Sequence, residues 1–180
     1  MEKKKEKHFV LVHGGCHGAW CWYKVVTELR AAGHRVTTFD MAASGVHPKQ
    51  VDQLRSISDY SQPLMEFMEL LPPNDRVALV AHSFGGINVS VAMERYPDKI
   101  NEAIFVTAIM IGHDLNFPTV TQQYVNGFDS GLDSQHRFGD GPDKPPTSVL
   151  FGPRYLESRL YNLSPPEDLA LAISLVRPHP

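Results

Sequence analysis

The chain has 180 residues, a formal net charge of -3 at pH 7 and a hydrophobic content of 42%. This length and composition predict one globular domain. The weakly acidic balance gives no reason to expect nucleic acid or an anionic membrane surface as a partner. The only charge run, residues 1–7, mixes lysine with glutamate and is typical of a disordered, solvated tail.

The beginning of the chain shows no secretory signal, because its first apolar run, residues 9–12, stops at His13-Gly14-Gly15. No stretch is apolar for long enough to span a membrane. Cys16 and Cys21 are too few for a disulfide framework and are compatible with a reducing compartment. We therefore expect a cytoplasmic protein without a membrane partner.

Strand and helix signals alternate through the first part of the chain, which predicts a parallel α/β sheet with flanking helices. The predicted strands are short apolar runs at residues 9–12, 36–39, 77–81 and 103–108. Apolar residues at helical spacing predict helices from Trp22 to a stop at Gly33, over 60–71 before Pro72, and over 87–96 before Pro97.

The alternation of strand and helix signals stops after residue 110. Residues 127–146 are rich in glycine and proline, which predicts loops rather than another strand–helix unit. Ser164 is expected to cap a last helix that continues to Val176, with Glu167 completing a capping box. We interpret residues 8–110 as the α/β core and residues 111–180 as a lid inserted after the fourth strand.

The sharpest motif is Val80-Ala81-His82-Ser83-Phe84-Gly85-Gly86, a serine between a buried strand and a glycine-bearing helix. This is the pattern of a nucleophile elbow, in which small residues two before and two after the serine allow a strained turn. Ala81 stands where the first glycine is usual. The alternative is a serine that merely caps a helix, but a cap does not call for two glycines.

A second motif, His13-Gly14-Gly15-Cys16-His17-Gly18, follows the first strand. In α/β-hydrolases this loop and the residue after the nucleophile donate the amides of the oxyanion hole, each worth about 3 kcal/mol. Those donors would be Gly15 and Phe84. Alone, the loop would be better explained as a glycine-rich turn that binds nothing, whereas next to the elbow the oxyanion interpretation is favoured.

The imidazoles and thiols of His13, Cys16, His17 and Cys21 raise the alternative of a zinc site. Intervening glycines and the lack of a second ligand pair argue against a metal. Gly-x-Gly-x-x-Gly does not follow the first strand, so no dinucleotide is expected either. The sequence therefore predicts no cofactor.

At these motifs the chain resembles the plant methylesterases of the α/β-hydrolase superfamily, which include salicylate and jasmonate methylesterases, polyneuridine aldehyde esterase and hydroxynitrile lyase relatives. The blocks that carry the resemblance are residues 8–14, 16–20, 42–45, 60–65, 82–86 and 164–172. It implies that Ser83 attacks a methyl ester of a small acid such as salicylate, jasmonate or indole-acetate, with Gly15 and Phe84 as oxyanion donors. The expected partner is a small-molecule ester or carboxylic acid.

The chain departs from the family where the catalytic acid and histidine should follow on later strands. Only a weak strand signal, residues 148–151, comes after the fourth strand. We therefore expect a C-terminally truncated, inactive member. The substitutes that the chain offers are expected in lid loops or at the terminus, none of them placed by a sheet strand: His113, His136 and His179, near Asp114, Asp133 and Asp140.

Without the next strand, residues 103–108 should form an open, apolar sheet edge, so we expect low solubility or a partner chain that covers the edge. Three functional hypotheses stay open. The chain is a disabled methylesterase, or a small-molecule binding protein that has lost turnover, or an enzyme that is active only in a longer form.

Overall fold

A computed structural model describes residues 6–112 and 131–180 of the chain. Residues 1–5 of the predicted tail, and His113 and Asp114 among the candidate substitutes, lie outside the described residues. Four parallel strands form the main sheet in the order β2-β1-β3-β4: β1 His8–Val12, β2 Arg35–Thr38, β3 Val77–His82 and β4 Ile100–Val106. This parallel sheet with flanking helices confirms the predicted α/β fold.

Three helices pack around the sheet: α1 Tyr23–Ala31, α2 Ile57–Leu70 and α3 Gly85–Arg95. Gly33, with φ +85°, follows α1 in the left-handed conformation expected of a helix stop. Helix α2 begins three residues earlier than predicted, since the Ser56 side chain accepts a hydrogen bond from the Asp59 amide and caps it.

Alternation along β1 and β3 divides the core between the two faces of the sheet. Val10 and Leu79 face the cluster built with α2 and α3, where Tyr60 and Leu64 are fully buried. Leu11 packs on the opposite face with Trp22 and Val80. The two central strands, β1 and β3, are thus packed on both faces. This packing fixes the position of their C-terminal ends, where the residues of the candidate site begin.

The fourth strand covers residues 100–106 rather than 103–108. It ends early because Thr107 has φ +42°, which turns the chain away from the extended conformation. Ile109 then returns to the elbow, where its amide donates to the carbonyl oxygen of Ser83. The residues that follow β4 therefore contact the candidate site.

Residues 131–180 contribute a separate two-stranded antiparallel sheet, β5 Gln135–Arg137 and β6 Ser148–Leu150. The weak strand signal at 148–151 thus belongs to a hairpin and not to the main sheet. A helical turn at Pro153–Tyr155 follows and continues as a π-helical stretch, Leu156–Leu160. Among the described strands, none pairs with the outer edge of β4.

The last helix, Pro166–Leu175, corrects the predicted capping box. Its N-cap is Pro165, no side chain caps it, and Ser164 lies one residue further out. The physical reason is that Pro166 at the first helical position has no N–H group and already has a helical φ, so the helix has fewer free donors for a cap to satisfy. The prediction that Ser164 caps this helix with Glu167 was wrong.

Candidate active site

Ser83 lies at the turn between β3 and α3 with φ +51°, a conformation that is strained for a residue with a side chain. Its carbonyl oxygen accepts hydrogen bonds from the amides of Gly86, at 3.1 Å, and Ile109, at 2.9 Å. These two bonds, from a helix start and from the chain beyond β4, hold the turn. Ser83 is half-buried and directly follows a strand whose first five residues are buried.

The elbow requires glycines because other backbone passes directly beside it. A Cβ atom at Gly85 would lie 2.6 Å from the carbonyl oxygen of His13, and one at Gly86 would overlap the carbonyl oxygen of Ile109. Ala81, two residues before the serine, is fully buried between neighbouring strands. Its methyl group packs within the core cluster.

The predicted oxyanion donor Gly15 belongs to a peptide group whose orientation a buried histidine sets. The Met41 amide donates to His13 Nε2 at 3.0 Å, so the ring proton is on Nδ1, which donates to the carbonyl oxygen of Gly14 at 2.8 Å. Because that carbonyl and the Gly15 N–H share one planar peptide, the bond fixes the direction of the N–H. Burial lowers the pKa of His13, which keeps this tautomer neutral.

The second predicted donor is held in the same way. The Phe84 N–H shares a peptide with the Ser83 carbonyl, which the amides of Gly86 and Ile109 fix in place. Each of the two N–H groups is therefore oriented by a hydrogen bond to the carbonyl oxygen of the same peptide group, that of Gly14 or that of Ser83. Donors that need no reorganisation are what stabilise a developing oxyanion best.

A second histidine supports the next peptide of the loop. His17 Nδ1 donates to the carbonyl oxygen of Gly15 at 2.8 Å, and Nε2 accepts from the Tyr161 hydroxyl at 2.8 Å. The His17 ring stacks with the Trp20 ring at 5.2 Å between centroids and is nearly parallel to the Tyr161 ring, and burial lowers the pKa of His17 to about 4. His17 is therefore neutral near pH 7, with both nitrogens occupied.

The carboxylate of Asp40, just after β2, connects the predicted oxyanion loop, residues 13–18, to the loop that follows β2. Oδ1 accepts from the Ala19 amide at 2.7 Å and Oδ2 from the Val46 amide at 2.9 Å. Sequence reasoning missed both Asp40 and His13 as supports. An aspartate at the end of a predicted parallel strand was the available signal, because strand ends of this kind converge on one edge of the sheet.

No described residue hydrogen-bonds to Ser83 Oγ. Next to it, His82 contacts Trp22 edge-on, and His136 lies exposed on β5. His179 corrects our expectation, since it is only 4% exposed and bridges to Val149 in an antiparallel pair. Its ring packs edge-on against Phe84, with 4.2 Å between ring centroids. It was expected in a solvated terminal position, which a long-range pairing of this kind overrides.

The thiols and imidazoles of the oxyanion loop take part in the fold. Cys16 Sγ donates to the carbonyl oxygen of Val149 at 3.3 Å, and burial raises the pKa of Cys16 and of Cys21 to about 12. Within residues 6–112 and 131–180, no group of three or more His, Cys, Asp or Glu side chains is arranged to hold a metal ion. None of the helices in that part of the chain is long and apolar enough to cross a membrane.

A cavity of about 620 Å³ lies at the start of α2, between Arg55, Ile57 and the β5–β6 hairpin residues Arg137 and Ser148. None of the elbow or oxyanion-loop residues lines it. We therefore place the candidate site at Ser83 and not in this cavity.

Comparison with known proteins agrees with the fold. Residues 7–159 match the family model of the α/β hydrolase fold. Methyl jasmonate esterase 1 of Vitis vinifera is 56% identical over 177 residues, which cover 98% of this chain and 68% of that protein. Salicylic acid-binding protein 2 of Nicotiana tabacum is 50% identical, with coverages of 97% and 68%.

Solved structures give the same result. Tomato methylketone synthase I in complex with 2-tridecanone matches with a TM-score of 0.93 and 47% identity, covering 98% of this chain and 68% of that one. Polyneuridine aldehyde esterase matches with a TM-score of 0.89 and 42% identity, covering 97% and 69%. The fold and the strand–serine–helix turn thus define an α/β-hydrolase. Within that class, the chain belongs to the plant methylesterase family, and it spans about two-thirds of its relatives' length.

Proposed function

We propose that this chain carries the nucleophile and the oxyanion hole of a methylesterase that acts on methyl esters of small plant acids. The observation that supports this most is the pair of preoriented amides, Gly15 and Phe84, beside a serine held at φ +51°. Relatives named for methyl jasmonate and for salicylic acid favour jasmonate and salicylate as acyl groups, with indole-acetate as a further candidate.

In the proposed reaction, Ser83 Oγ attacks the ester carbonyl carbon and loses its proton to a base. The carbonyl oxygen becomes an oxyanion that the two amides stabilise. The bond to the methoxy group then breaks, methanol leaves with the proton, and water hydrolyses the acyl-serine to the acid. No metal or cofactor enters this scheme.

The proposed reaction needs a base that takes the Ser83 proton. His13 and His17 use both ring nitrogens in other hydrogen bonds, and no described imidazole bonds to Ser83 Oγ. We therefore propose that the 180-residue chain by itself hydrolyses esters several orders of magnitude more slowly than a protein with a complete triad. Under this proposal the chain is a disabled esterase, unless a further segment provides the acid and histidine.

A second candidate is a non-catalytic binding protein for small carboxylic acids. It is favoured by the two preoriented amides, which can donate to a carboxylate oxygen without any base. Saturable binding of salicylic acid, without Ser83-dependent turnover even in a chain extended with the C-terminal third of a relative, would identify this function.

The test is hydrolysis of methyl salicylate and of 4-nitrophenyl acetate by the purified chain, its Ser83→Ala variant, and the chain extended with the C-terminal third of the grapevine relative. Ser158→Ala is the matched control, because its exposed hydroxyl only donates to the carbonyl oxygen of Arg154. We expect no Ser83-dependent turnover in the short chain and Ser83-dependent turnover in the extended one.

Two other outcomes would change the conclusion. Ser83-dependent turnover by the short chain would show that a base is present within the 180 residues. An inactive extended chain that is correctly folded would contradict the methylesterase proposal itself.

A further inference from the structure

His179 contacts both predicted oxyanion residues. Its ring atom Cδ2 lies 2.9 Å from the point that a Cβ atom on Gly15 would occupy, so the ring lies directly over the Gly15 Cα. Its ring centroid is 4.2 Å from that of Phe84 and 5.1 Å from that of Tyr60. A ligand oxygen that reaches the Gly15 amide therefore comes within reach of this imidazole.

The imidazole is buried without satisfying its polar atoms. His179 is 4% exposed, and neither Nδ1 nor Nε2 has a hydrogen-bond partner in the part of the chain that the structure describes. Burial lowers its pKa to about 3, so the ring is neutral and carries one donor and one acceptor. A buried polar group without a partner destabilises a fold, and its presence calls for an explanation.

Strong backbone contacts hold the ring in this place. The amide and carbonyl of His179 pair with those of Val149 at 2.8 Å each. Two residues earlier, the Arg177 guanidinium donates to the carbonyl oxygens of Gly45 and His47 at 2.8 and 2.9 Å. Because the His179 backbone and the preceding Arg177 are both held by hydrogen bonds, the unpartnered ring is not a consequence of a loose segment.

We propose that His179 is a ligand-binding residue of the Ser83 site. Its imidazole forms hydrogen bonds, as donor and as acceptor, with the ester or with the carboxylic acid formed from it. This inference takes the class of ligand, small carboxylic acids and their methyl esters, from the proposed function. A neutral imidazole can donate to a carboxylate or carbonyl oxygen and accept from a hydroxyl, so a small acid with a nearby hydroxyl group, such as salicylic acid, satisfies both nitrogens. The unfavourable burial in the free protein is then relieved on binding.

The experiment compares His179→Phe, which keeps the aromatic edge but has no polar atom, with His179→Gln, which keeps a donor and an acceptor. The probe is salicylic acid, with its dissociation constant measured by calorimetry and the Tm measured for every variant. His136→Phe is the matched control, since His136 is exposed on β5. We expect His179→Phe to weaken binding about tenfold while its Tm stays equal or rises, because the unpaired polar atoms are gone.

His179→Gln is expected to keep most of the affinity, and His136→Phe to change neither quantity. Wild-type affinity in His179→Phe would overturn the inference while leaving the proposed function intact. A wild-type chain that binds neither salicylic acid nor jasmonic acid would also overturn the inference. The hydrolysis test on Ser83 decides the proposed function separately. If His179→Phe does not fold, His179→Met gives the same comparison.

Discussion

The backbone at Ser83 stores strain that the surrounding residues hold in place. A left-handed conformation costs a residue with a side chain about 1–2 kcal/mol. The carbonyl of Ser83 accepts two amide hydrogen bonds, and the glycines after it let α3 begin against the loop that follows β1. The turn is thus stable only as a part of the whole sheet edge.

This strain predicts an unusual order of stability between two substitutions. Ser83→Gly should be more stable than Ser83→Ala by about 1 kcal/mol, because glycine adopts φ +51° without a steric penalty. The measurement is equilibrium unfolding in urea. At Ser158, which lies in the π-helical stretch, the same pair should show the opposite order. An alanine variant at Ser83 as stable as the glycine variant would show that the turn is not strained.

The elbow could be predicted from the sequence because its strand, serine and glycines are contiguous. The supports of the oxyanion loop could not, since His13 bonds to Met41 and His17 to Tyr161, far along the chain. His179 was placed in a solvated terminus for the same reason. Its burial depends on pairing with Val149, and no local pattern indicates that pairing.

At the scale of elements, Arg177 ties the end of the last helix to the loop after β2. Its guanidinium donates to five oxygens, namely the carbonyl oxygens of Ser44, Gly45, His47 and Lys49 and Oε1 of Gln50. Its own amide donates to the carbonyl oxygen of Cys16 in the oxyanion loop. One side chain thus fixes the segment that positions His179.

We expect Arg177→Met to lower the free energy of unfolding by about 2 kcal/mol, because it leaves several loop carbonyls without their donors. Arg177→Lys should recover only part of the loss, since a lysine ammonium lacks the planar fork. Arg159→Met, at an exposed position in the π-helical stretch, is the matched control. Chemical denaturation measures all three, and equal stability of Arg177→Met and the wild type would contradict the role given to this contact.

Element types were more predictable than their ends. The apolar runs and their order predicted four parallel strands, because burial on both faces leaves a strong sequence signal. The positions where elements end depended on single residues, and the spacing of apolar residues does not predict their effect. The Ser56 cap starts α2 earlier, Thr107 ends β4 earlier, and Pro166 displaces the predicted cap at Ser164.

At the scale of the whole molecule, β4 is an edge strand of the described sheet. It pairs with β3 alone among the described strands, and one of its faces exposes Ile104 and Val106, at 39% and 44%. An exposed edge of this kind offers free backbone groups and apolar side chains to another chain. The main sheet is therefore covered well at its centre and poorly at β4.

We predict that the purified 180-residue chain associates through this edge, because pairing with a second chain removes both the free backbone groups and the apolar face from water. Sedimentation velocity over a wide concentration range should show oligomers that Val106→Lys suppresses, since a lysine on an edge strand opposes pairing. Leu163→Lys is the matched control, as Leu163 is 95% exposed and lies between the π-helical stretch and the last helix. A wild-type chain that stays monomeric and melts cooperatively would show that β4 needs no partner.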